Sequence, residues 1–199
     1  MEINWESQVL SSVSKVIPKL SCLEIDIDKL HEVAAELSED SFSINYEGNT
    51  NTVPKEYIRK TMLINTLNFV FTDFLTSVKY KIENYSDTDA MVYQIDKALD
   101  QGIPLTQGRF MRDMNLKEFK TLFTGNIVMP MADEKVKILN NVGDILVTKY
   151  GGDWINFIDD GPKKLYDNGK GLVERLVRDF KRFDDHSIFE NEKVYFLKL

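Results

Sequence analysis

Glu134 to Ile158 reads EKVKILNNVGDILVTKYGGDWINFI. Val136, Leu139, Val142, Ile145 and Leu146 recur at helical spacing, so the stretch predicts one long amphipathic helix. Gly151-Gly152 stops it, because glycine accepts the left-handed backbone that closes a helix. An aromatic-amide cluster, Trp154-Ile155-Asn156-Phe157, follows the stop. Within the helix, LNNVGDIL superficially resembles the hairpin of helix-hairpin-helix DNA glycosylases, but the first glycine and a basic surround are missing. Gly143 is therefore read as a close packing contact inside a helix.

The same helical period dominates on either side of this stretch. Val9, Leu10, Val13, Val16 and Ile17 form one stripe, with Pro18 near its end. Ile27, Leu30, Val33, Ala34 and Leu37 form a second, with Asp26 as N-cap. Residues 38–53 are rich in Ser, Asn, Thr and Gly and read as loop. Pro54 opens a helix expected to run past Phe71. Residues 77–85 read as a short strand or extended link. Met91, Val92, Ile95, Ala98 and Leu99 make another helix face, with Gly102 as its stop. Asn115 and Glu118 have capping-box spacing ahead of Leu116, Phe119, Leu122 and Phe123. Leu172, Val173, Leu176, Val177 and Phe180 line the last clear helix, and KVYFLKL at the end alternates weakly. The expected fold is mainly α, an irregular single-domain helical fold over residues 1–199 with room for a short β element.

Net charge is −7, from 25 Lys and Arg against 32 Asp and Glu, which argues against wrapping duplex DNA. Hydrophobic residues make up 43% of the chain, enough for a sizeable core. No apolar run reaches the roughly 18 residues that cross a bilayer. Glu2 and Glu6 stand where a secretory signal would be basic and then apolar. Cys22 is alone, so a reducing, cytoplasmic setting is expected. His31, His186 and Cys22 have no zinc-site spacing, and no Gly-rich phosphate loop or nucleophile elbow occurs. Neither metal nor cofactor is expected.

Two constellations carry chemical interest. Thr61, Asn65, Asn68 and Thr72 fall at offsets of four, three and four within an apolar run. They share one face of the predicted helix, where buried amides need partners. Such a stripe suits a ligand, with Asn68 at a base edge and Phe69 or Phe71 stacking. It equally suits a polar seam between helices. At the second, Trp154, Asn156 and Phe157 suit a flat heterocycle or, alternatively, a core-packing turn.

Three segments in order, TLNFVF (Thr66–Phe71), ALDQGIPLT (Ala98–Thr106) and KYGGDWINFI (Lys149–Ile158), resemble the queuosine salvage family. The resemblance runs from about Val53 to Lys198. Asn68-Phe69-Val70-Phe71 looks like the family's Asn-Phe-x-Phe segment, but Thr72 stands where the family usually carries Trp. The Gly-Gly, aromatic and Asn positions of the third segment match the family's Lys-Phe-Gly-Gly-Ser-Phe-x-Asn stretch. Lys198, in VYFLK, is similar to the lysine of a Val-x-Phe-Tyr-Lys segment, which makes it a candidate phosphate partner or, alternatively, a solvated terminal lysine.

The resemblance implies a queuosine 5'-phosphate N-glycosylase that frees queuine by hydrolysis. Its expected ligand is that nucleotide or its nucleobase. Its implied substrate-binding residues are Asn68, Phe69, Phe71, Thr72, Trp154, Asn156 and Lys198. In the family, the acidic residues that act at the sugar lie beyond the matching region. No catalytic residue is therefore assigned, and Asp73 is merely the nearest acid to Asn68-Phe71. The alternative is a non-catalytic helical module binding a nucleoside or protein, or an inactive fragment. On this reading, residues 54–199 are a truncated family-like core behind N-terminal helices and a loop.

Overall fold

A computed structural model describes residues 5–20, 24, 26–36 and 53–195. The helices are α1 (Trp5–Val16), α2 (Ile27–Glu36), α3 (Lys55–Leu67), α4 (Asp87–Asp100), α5 (Gly108–Asp113), α6 (Leu116–Leu122), α7 (Ala132–Lys149), α8 (Trp154–Asp159) and α9 (Leu172–Asp179). Short 3-10 turns, Ile17–Lys19 and Lys181–Phe183, and two antiparallel hairpins accompany them. One pairs β1 (Lys81–Ile82) with β2 (Tyr85–Ser86), the other β3 (His186–Phe189) with β4 (Glu192–Tyr195). The fold is mainly α, as the periodicity predicted. None of the described helices is long and apolar enough to cross a membrane.

Local signals explain most boundaries. Asp26 Oδ1 accepts the Lys29 N–H at 2.9 Å and starts α2. Asn115 Oδ1 accepts from Glu118 N–H at 3.0 Å, and Glu118 returns the bond to Asn115 N–H at 3.1 Å, a complete capping box for α6. Helix α7 carries Asp133 and Glu134 in its first turn, where acids favour the positive end of the helix. It ends through Gly151 (φ 61°) and Gly152 (φ 86°), whose N–H returns to Leu146 O at 2.8 Å.

The α5–α7 crossing is the most extensive helix packing, and Gly143 makes it possible. A Cβ there would meet the backbone nitrogen of Arg112 and come within 2.5 Å of Gly108 O. The expectation for Gly143 holds. Helix α3 lies against both α7 and α8, and α1 lies along β4. The core joins Leu63 and Leu67 of α3, Met91 and Ile95 of α4, Leu139 and Leu146 of α7, and Trp154 and Phe157 of α8.

One boundary differs from expectation. Helix α3 ends at Leu67, not beyond Phe71. The chain leaves through Asn68 (φ −75°, ψ 72°) and Val70 (φ 48°), and Thr72 then forms an isolated bridge with Lys79. The Thr61–Thr72 stripe is thus not one helical face.

Candidate functional site

The exit of α3 is built around a buried amine. The last carbonyls of a helix lack helical partners. Here Lys135 Nζ, from the first turn of α7, donates to Leu67 O at 2.9 Å and also to Phe69 O. Arg182, in the short 3-10 turn Lys181–Phe183, adds an Nε–H donation to Thr66 O at 3.4 Å. Two cations therefore sit at the negative end of α3, where its dipole favours them.

The same cations engage the family-like aromatics. Lys135 Nζ lies 3.8 Å from the Phe69 ring centroid and 4.7 Å from that of Phe71. Arg182 Cζ lies 4.6 Å from the Phe69 centroid. These are cation–π distances. Lys135 is 0% exposed, and burial, aided by the charge of Arg182, pulls its ammonium down to about 7. Burial likewise pushes the Arg182 guanidinium below its usual value. Among the described residues neither cation has a carboxylate within ion-pair distance.

Around this centre the predicted residues separate. Phe69 is half-buried and Phe71 buried. Asn68 is exposed, and its Oδ1 accepts from Thr88 Oγ1 at 2.8 Å. Asn65 is half-buried, so the expectation that both amides are buried is met only in part at Asn65 and fails at Asn68. The physical reason is the early end of α3. Once the helix stops at Leu67, residue 68 no longer continues its inward face. Thr72 is half-buried on its bridge to Lys79. Asp73 accepts the N–H groups of Leu75 at 2.8 Å and Thr76 at 2.9 Å. These bonds, Thr76's first, hold its carboxyl below the usual range. Asp73 is a turn former. Lys198 lies outside the described residues.

The Gly-Gly segment has another environment. Trp154 is 0% exposed, its ring 4.8 Å from Phe180 and 5.8 Å from Phe157. Its Nε1–H is buried without a hydrogen-bond partner in the described structure. The indole is packed in the core. Asn156 is exposed and donates from Nδ2 to Tyr150 O at 2.9 Å, closing the turn around Gly151.

Beside that turn lies a polar cleft of about 460 Å³, lined by Glu56, Arg59, Thr106, Gln107, Arg109 and Gly151 to Asp153. Asp153 caps α8 by accepting Ile155 N–H and also holds Arg59 in an ion pair. Asn68, Phe69 and Phe71 do not line this cleft. Arg59 and Leu67 are eight residues apart on α3, roughly 12 Å along the axis. The two family-like segments thus border different surroundings at the two ends of one helix.

Sequence reasoning missed Lys135, Arg182 and Arg59. A signal existed for the first. Lys135, Leu139, Val142 and Leu146 follow helical spacing, so Lys135 falls on the buried stripe of α7. The other two residues carry no comparable mark.

A family model described as "Queuosine salvage protein" matches residues 44–199. A Mus musculus protein named queuosine 5'-phosphate N-glycosylase/hydrolase is 29% identical over 142 residues, 68% of this chain and 41% of its own length. A Bos taurus protein of the same name is 25% identical over 169 residues, 82% of this chain and 48% of its own length. One from Sphaerobacter thermophilus is 22% identical over 194 residues, 96% of this chain and 59% of its own length. The chain spans about half the length of these relatives.

Proposed function

The chain belongs to the queuosine salvage protein family, and from that membership we propose that it acts in hydrolysis of queuosine 5'-phosphate to queuine. The observation carrying this reading is continuity. One family model covers the α3 exit, the α5–α7 crossing and the Gly-Gly turn without a break, over residues 44–199. The ligand is a small nucleotide, and the proposed co-reactant is water.

The α3 exit is the proposed base-recognition site. Asn68 offers an exposed amide with donor and acceptor capacity, and Phe69 offers a half-buried ring. Cleavage of an N-glycosidic bond develops oxocarbenium-like charge, which a carboxylate at the sugar stabilises. Several acids near the core already have structural duties. Asp73 holds its turn, Asp153 holds Arg59, Glu174 accepts the N–H groups of Asp167, Gly169 and Gly171, and Asp179 accepts from Tyr150. That commitment favours a second reading, a base-binding module that does not itself turn over substrate.

One experiment separates the two. The chain is incubated with queuosine 5'-phosphate, free queuine is measured by mass spectrometry, and queuine affinity is measured by calorimetry. Released queuine supports the hydrolase. Binding without release supports the module. Absence of both rejects the family activity for this chain.

A further inference from the structure

Arg182 is a half-buried guanidinium with most of its donors unspent. A guanidinium carries five N–H donors. Among the described residues, its one hydrogen bond is the 3.4 Å contact with Thr66 O. Asp185 favours its charge from a distance but forms no ion pair with it. Lys135, the cation sharing the Phe69 ring, adds like charge. Acids are not scarce in this chain, with 32 Asp and Glu against 25 Lys and Arg. Removing charge from water without a counter-ion is costly. A site that leaves two cations at one ring, with no carboxylate in ion-pair reach among the described residues, has room for an anion.

Geometry narrows which anion. Lys135 is fully buried and already bonded to two carbonyls, so it contributes field rather than contact. Arg182 is partly open. Its place over Phe69 and its bond to Thr66 restrain the guanidinium beside the exit of α3. A planar fork of donors suits the oxygens of a phosphate, and such charge-assisted bonds are the strong ones.

We propose that Arg182 is the ligand for the phosphate group of a nucleoside monophosphate whose base lies at Asn68 and Phe69. The identity of that nucleotide rests on the proposed function. The anion site itself does not.

The test uses the full chain and three probes: queuosine 5'-phosphate, the nucleoside queuosine, and inorganic phosphate. The nucleotide is expected to bind about 10- to 100-fold more tightly than the nucleoside, the worth of charge-assisted hydrogen bonds. Arg182→Gln should bring that ratio to within about twofold by removing nucleotide affinity alone. Arg182→Lys, which keeps the charge, should retain part of the preference and covers the case in which the glutamine variant does not fold. Inorganic phosphate should raise the Tm of the parent more than chloride does at matched ionic strength. It should raise that of Arg182→Gln no more than chloride does.

A preference that survives both substitutions overturns the proposal. So does an equal loss of nucleotide and nucleoside affinity, which would mean that Arg182 only supports Phe69. So does a parent protein that phosphate protects no better than chloride. Phosphate protection that depends on Arg182, without binding of nucleotide or nucleoside, upholds the anion site and rejects the queuosine reading instead.

Discussion

Arg59 of α3 holds Asp153 of the Gly-Gly turn by two hydrogen bonds, Nε to Oδ1 at 2.9 Å and NH2 to Oδ2 at 2.6 Å. The pair is partly shielded, with side chains 21% and 30% exposed, and Arg59 holds the Asp153 carboxyl below its usual range. The same carboxylate caps α8. Asp153→Ala loses both functions and should cost about 2–3 kcal/mol, whereas Asp153→Asn keeps a cap and should cost about 1 kcal/mol less. Urea unfolding of the two variants checks this. Equal losses would show that the cap contributes nothing.

Gly143→Ala tests the α5–α7 crossing. Helix propensity alone favours alanine by about 1 kcal/mol. The added methyl, however, meets the backbone of Arg112 and Gly108 rather than movable side chains. Net destabilisation of about 2–3 kcal/mol is expected. A neutral or stabilised variant in thermal unfolding would contradict so close an approach.

Lys135 should make stability depend on alkaline pH. Its folded-state value is about 7 against an ordinary 10.5, so the unfolded chain binds the extra proton between those limits. Stability must therefore rise with pH across that window, by up to about 1.4 kcal/mol per pH unit at its centre, and the gain must vanish below pH 7. Lys135→Met removes the titration. The difference in unfolding free energy between parent and variant, measured from pH 6 to 9.5, should slope upward only above about 7. A flat difference would mean that the ammonium stays charged in the fold.

The two amides should behave differently. Asn68→Ala changes an exposed side chain and should cost under about 1 kcal/mol of stability, yet weaken queuine binding by about 1–3 kcal/mol. Asn156→Ala should loosen the turn at Tyr150 by about 1 kcal/mol and leave affinity unchanged. Paired calorimetry and denaturation separate these effects. Loss of affinity in Asn156→Ala would place the base at the Gly-Gly turn instead.

What the sequence disclosed depends on where each determinant lies. The Asn115–Glu118 box, the Asp26 cap and the Gly151–Gly152 stop act within a few residues, and each was legible. The end of α3 was not. It is set with Lys135, which is 68 residues from Leu67, and Arg182, which is 116 residues from Thr66. An apolar run cannot announce that distant side chains will take its last carbonyls. The stripe from Thr61 to Thr72 therefore looked continuous when its last members lie beyond the helix. Similarly, an aromatic next to an amide marks either a ligand wall or a sealed turn. Phe180, donated from the end of α9, decides for Trp154 by closing over it.

The enclosure of Trp154 governs what an optical experiment can see. The chain has two tryptophans, Trp5 and Trp154, and the second is shut in an aromatic nest of Phe157 and Phe180. Light emitted from that indole should come at short wavelength and resist aqueous quenchers while the core is closed. It reports the melting of the hub formed by α8 and the end of α9. It is a poor witness to events at Asn68. A colour change there would need its own reporter, placed beside Asn68 at the half-buried Thr88.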